Sequence, residues 1–140
     1  MENKSLTIEK RFLKGILAST MDDLNYLINL IKKFESEFKH DLVNELTSMI
    51  DDRDYEGSFN MLAGITIDIY AEWYLKEKCN LDMKKHERFF ETVGYIMNEQ
   101  NTSKLKKPLV LDIEPFRQEF EINLDFWDEF VEALNTFINK

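Results

Sequence analysis

One cysteine, two prolines, four glycines and two histidines in 140 residues leave little room for several kinds of protein. A lone thiol, Cys79, closes no internal disulfide and builds no thiolate zinc cluster, which fits a reducing compartment. So little glycine and proline argues against a disordered chain and against an all-β fold rich in turns. No run of about 18 apolar residues occurs, and the opening MENKSLTIEKRF has no apolar signal core. The expectation is a soluble, cytoplasmic protein with no membrane partner. GxGxxG, P-loop and GxSxG motifs are all missing, so no nucleotide fold or nucleophile elbow is announced. Nor is there a basic stripe, which disfavours direct contact with nucleic acid or with an anionic membrane.

The chain is well supplied with core material. Apolar residues make up 44%, with 11 Phe, 5 Tyr and 2 Trp. A chain of this length fits one domain, spanning 1–140, and buries roughly two thirds of its unfolded surface without a disulfide or metal. Lysine outnumbers arginine 14 to 4, a bias expected of an AT-rich bacterial or phage genome.

The net charge of −9 is uneven. Residues 1–40 carry 6 acids and 7 bases, and residues 61–110 carry 7 and 8. The excess lies in 41–60, with 6 acids and 1 base, and in 111–140, with 8 acids and 2 bases.

Hydrophobic spacing points to helices throughout. Phe12, Leu13, Ile16 and Leu17 share one side of a short helix over 7–18. Leu24, Leu27, Ile28, Ile31, Phe34, Phe38, Leu42, Leu46 and Met49 stay within an arc of about 120° when each residue advances about 100°. That continuity predicts one long helix near 21–50, with Asp41 as a new cap if it breaks. Phe59, Leu62, Ile65, Ile69, Tyr70 and Trp73 give a broad apolar face to a helix over 55–79, with Asn80 as a left-handed stop. Asp82 caps a fourth helix to about 99, presenting Phe89, Phe90, Val93, Ile96 and Met97. A loop follows through Pro108. Asp112 caps a short helix with Pro115 in its first turn, and Asn123 or Asp125 starts the last helix. The expected architecture is all-α: a single-domain bundle of five or six helices.

Candidate chemistry is thin. Glu37 and His40 spell ExxH, but a di-iron bundle needs a second ExxH and two more carboxylates facing the core. The residue three before His86 is Met83, and the helical phase puts Glu37 and His40 toward water. His86 falls amid the apolar arc of its helix and reads as a hydrogen-bonded core histidine. Asp68 and Glu72 form an i,i+4 carboxylate pair with Lys76 one step further, which reads as a solvated face. Such a pair could hold Mg²⁺, but nucleotide pyrophosphatases of the all-α type use these pairs in clusters of four from two helices. Cys79 has no neighbour in sequence to activate it and reads as packing. No metal, cofactor or enzymatic activity is expected.

The residues 112–137, DIEPFRQEFEINLDFWDEFVEALNTF, alternate rings with carboxylates around a single positive residue, Arg117. On a helical wheel the rings and carboxylates separate. Phe126, Trp127, Phe130, Val131, Leu134, Phe137 and Ile138 fall on one side, and Asp125, Asp128, Glu129 and Glu132 form an outer ridge. Like charges i,i+3 and i,i+4 apart cost a few tenths of a kcal/mol per pair. A second acidic run, Asp51, Asp52, Asp54 and Glu56, repeats the bias.

Either a basic partner or the loop lysines Lys104, Lys106 and Lys107 could answer that charge, and a solvated face that keeps the chain soluble would explain it without a partner. The expectation is a small acidic module that binds and neutralises a basic protein partner, as immunity proteins, antitoxins and phage anti-defence proteins do. The alternative is a helical interaction protein acting as a homodimer.

Overall fold

Lysine rarely adopts a left-handed backbone, yet Lys39 has φ 55° in the computed structural model of the chain. That residue breaks the long helix expected over 21–50. The structure describes residues 16–17, 21–53, 57–100, 108–120 and 122–139. Among them are five α-helices: α1 (Met21–Phe38), α2 (Leu42–Arg53), α3 (Phe59–Glu77), α4 (Glu87–Gln100) and α5 (Trp127–Asn139). A 3-10 helix spans Glu114–Glu119. The fold is all-α, save for a two-residue parallel pairing of Ile16–Leu17 with Gly57–Ser58. Ile16 and Leu17 are therefore extended rather than helical, and the rest of the helix expected at 7–18 lies outside the described residues. The chain divides into two compact units, Met1–Thr66 and Ile67–Lys140, with the division inside α3.

In the first unit, Leu24, Leu27, Ile28, Leu30, Ile31 and Phe34 of α1 are buried with Leu42, Val43 and Leu46 of α2. Asp22 and Asp23 occupy the first turn of α1, where the helix dipole favours carboxylates. The break has its own stabilisation. Asp41 accepts the Asn44 N–H at 3.0 Å and also the Asn44 side-chain amide. Glu35 reaches from the last turn of α1 to accept the Val43 N–H at 3.1 Å. Two otherwise orphaned N–H groups of α2 are thus satisfied, each cap contributing about 1 kcal/mol against roughly 1–2 kcal/mol for left-handed Lys39. The apolar positions on either side of the break keep their phase.

In the second unit α3 contributes Ile67, Tyr70, Ala71 and Leu75 to the core, α4 contributes Phe89, Val93, Ile96 and Met97, and α5 contributes Trp127, Phe130, Leu134, Phe137 and Ile138. Ile65, Ile69 and Trp73, expected on the apolar face of α3, are half-buried. Rings dominate the packing. Tyr70 stacks on Phe137 at 3.9 Å, and Phe89 meets Phe120, Phe126 and Trp127 edge-on at 5.2, 6.1 and 6.1 Å.

Helix α3 ends where expected. Asn80 takes φ 56°, and the Leu81 N–H returns to the Leu75 carbonyl at 3.1 Å. Asp82 Oδ1 accepts the Lys84 N–H at 2.8 Å, and turns lead into α4.

The extended segment 108–113 buries Leu109, Leu111 and Ile113. Its backbone is held by side chains. Asn135 accepts the Leu109 N–H and donates to the Leu109 carbonyl, so one amide serves both peptide groups of one residue. Gln100 does the same for Asp112, at 2.8 and 3.3 Å. The Trp127 indole donates to the Leu111 carbonyl at 3.2 Å. Three side chains thus take the place of a neighbouring strand. Asp112 accepts the Glu114 N–H at 3.1 Å at the entrance to the 3-10 helix, and Asn123 accepts the Asp125 N–H at 2.9 Å before α5.

Candidate functional site

The C-terminal ridge is built as the wheel predicts. The apolar face of α5 is drawn into the core by Trp127, Phe130, Leu134, Phe137 and Ile138, which leaves Asp128, Glu129 and Glu132 exposed with Asp125 just before them. Asp125 accepts a bond from the Asn123 amide at 3.1 Å. No cation among the described residues lies within ion-pair reach of Asp128, Glu129 or Glu132. Asp128 and Glu129 occupy the first turn of α5, where the dipole returns roughly 0.3–1 kcal/mol and offsets their repulsion. Glu129 also acts on Cys79. The thiol is pushed up to about 11, first by burial and then by the Glu129 carboxylate. At neutral pH Cys79 is a protonated packing residue.

The second acidic run is divided. Asp51 and Asp52 belong to the last turn of α2, while their side chains, and Asp54 and Glu56 entirely, lie outside the described residues. So do Lys104, Lys106 and Lys107.

The two histidines are placed differently from expectation. Helix α1 stops at Phe38, so Glu37 and His40 do not share a helix. His40 is half-buried in the break, 2.6 Å from Glu45 by its Nε2 and edge-on to Phe34. His86 is half-buried rather than core, because it lies in the turns before α4 and not in the helix whose phase had put it inside. Met83, beside it on that wheel, is 38% exposed.

Asp68 and Glu72 were expected on a plain solvated face. The Glu72–Lys76 ion pair of such a face is present, and Asp68 and Glu72 also line an open groove of about 1140 Å³ formed by the second half of α3, the 78–86 connection and α4. Its apolar lining is Ala71, Leu75, Leu81, Phe90, Val93 and Met97, with Met83 at one side. Among the described residues nothing lies within 4 Å of a Cβ built at Gly94, which opens into the groove. The rim carries Asp68, Glu72, Glu77, Asp82, Glu87 and Glu91 against Lys76 and Lys84. Lys76 is already engaged, 3.8 Å from Glu72 and 5.2 Å above the Trp73 ring. Asp68 and Glu72 on α3, like Glu87 and Glu91 on α4, are i,i+4 carboxylate pairs, so each helix brings one such pair to the groove lining.

Sequence spacing marks each pair. Only the structure shows that both pairs line one groove. No three His, Cys, Asp or Glu side chains among the described residues converge closely enough to hold a metal ion. No described helix is long and apolar enough to cross a membrane.

No family model matches the sequence, and no curated protein or solved structure matches the chain.

Proposed function

We propose that this chain is a small acidic protein-binding module that neutralises or inhibits a basic protein partner in the cytoplasm. The observation that carries the reading is the α5 ridge: Asp128, Glu129 and Glu132 stand exposed on one helix face with no cation within ion-pair reach among the described residues. Such a surface raises the encounter rate with a positively charged partner and disfavours acidic ones. The ridge is presented by a helix whose opposite face is anchored in a ring-rich core, so the carboxylates are fixed in register. A rigid scaffold of this kind binds with little ordering cost. The mode of action is inhibition by occlusion: the module covers a functional basic surface and performs no chemistry.

Replacing Asp128, Glu129 and Glu132 together with lysine tests the reading. All three are exposed, so the helical circular dichroism of the native protein should persist. Affinity for the basic partner should fall at least tenfold, mainly through a slower association rate. Unchanged affinity in the folded triple variant would remove the ridge from the interface.

A further inference from the structure

The groove between α3 and α4 has features that a solvated face does not need. Its accessible apolar lining is Leu81, Met83 and Phe90, backed by the core side chains of Leu75, Val93 and Met97. At about 1140 Å³ it exceeds the usual 300–1,000 Å³ of a small-molecule pocket, and it is a trough rather than an enclosed cavity. An amphipathic helix laid in a trough fits this shape, with apolar anchors at i, i+3, i+4 and i+7. The rim decides the sign of the occupant. Six carboxylates face two lysines there, and one of those lysines is held by Glu72. No cation among the described residues pairs with Glu77, Glu87 or Glu91.

We propose that this groove is a docking site for an amphipathic helix of a partner protein, apolar on one face and flanked by lysine or arginine. The inference deepens the basic-partner reading and rests on it, but it places the contact at a different surface from the α5 ridge. Leucine-sized anchors take the floor beside Gly94, where the missing side chain leaves space. Cationic flanks take the Glu87–Glu91 pair on α4, relieving the repulsion within it.

The test uses the full chain and a fluorescein-labelled synthetic helix of about five turns, with leucine along one face and lysine elsewhere. A peptide of the same composition in scrambled order, and one with glutamate in place of lysine, serve as controls. Anisotropy titrations compare the native protein with Gly94→Phe, which fills the floor and leaves the rim charge alone. They also include Glu87→Lys/Glu91→Lys, which reverses the rim on exposed positions and leaves the floor alone, and the ridge variant Asp128→Lys/Glu129→Lys/Glu132→Lys. Far-UV circular dichroism checks that each variant is folded.

The expected result is binding of the leucine–lysine helix over both controls. Gly94→Phe and the rim reversal should each weaken it at least tenfold, and the ridge variant should change it less than threefold. Loss with the ridge variant but not with Gly94→Phe or the rim reversal overturns the groove while sparing the basic-partner reading. Equal binding of the scrambled or glutamate peptide overturns the proposal, because it needs both an apolar face and positive flanks. Failure of the leucine–lysine helix to bind at all overturns it too. So does a native dimer that Gly94→Phe converts to a monomer, since the occupant is then a second copy.

Discussion

Replacing Gly94 with alanine should stabilise the protein. Glycine inside a helix costs about 0.8–1.0 kcal/mol relative to alanine, because the unfolded chain loses more freedom there and no side chain covers the backbone. The usual reason for glycine in mid-helix is a neighbour too close to admit a Cβ. Among the described residues no such neighbour exists at Gly94, where a Cβ meets nothing within 4 Å. The steric term is therefore near zero and the propensity term stands alone. With an unfolding entropy of roughly 2.1 cal/mol/K per residue over 140 residues, ~0.9 kcal/mol raises Tm by about 3 °C. Urea denaturation followed by far-UV circular dichroism should show a higher midpoint at unchanged slope, since no apolar surface of the fold is rearranged. A lowered midpoint would mean that something occupies the space beside Gly94, and that the open floor of the groove is wrong. No gain at all would mean that α4 does not hold helical geometry at that position.

Replacing Asn135 with alanine should cost about 2–4 kcal/mol, because the Leu109 N–H and carbonyl lose their partners together; Asn135→Asp, which keeps only the acceptor, should cost less, and equal midpoints in urea would contradict the clamp. Alkylation of Cys79 should be slow at neutral pH and rise toward half-maximum near pH 11, with Glu129→Gln moving the profile downward because the carboxylate disfavours the thiolate; a native profile centred below pH 9 would contradict the placement. The same raised thiol value contributes stability that is present below the ordinary thiol range and lost as pH rises through the folded value, a loss that Cys79→Ser should lack. Replacing Lys39 with glycine should stabilise the protein by up to about 1 kcal/mol by relieving its left-handed backbone, whereas in an unbroken helix the same change would cost about 1 kcal/mol, so the sign of the shift in thermal denaturation decides.

The helix phases were legible in the sequence because burial follows a 3.6-residue period that needs no tertiary information. The buried positions of α5 and the stop at Asn80 follow from local rules of that kind. The break at Lys39 left no mark on that period: the apolar positions before and after it stay in phase, and its caps use Glu35 and Asp41 in a run already rich in polar residues. His86 was misplaced because a wheel assumes a helix, and His86 precedes the helix. The amide clamps were illegible for a different reason. Asn135 and Leu109 are 26 positions apart, and nothing local in either residue names the other. The groove fails on the same ground. Asp68 and Glu72 look like a wet face until the fold brings them into one groove lining with Glu87 and Glu91. Sequence spacing therefore located the acidic ridge, which lies on one helix, and missed the acidic groove, which takes two.

The most direct test of the basic-partner reading is affinity capture of the tagged protein from its native lysate at low and high salt, run beside the triple lysine variant of the ridge and the rim reversal at Glu87 and Glu91. The account predicts one predominant basic protein retained by the native chain at low salt, weakened at high salt, and lost or sharply reduced with at least one charge-reversed variant. An empty eluate, or the same proteins retained by all three chains at both salt concentrations, would contradict it.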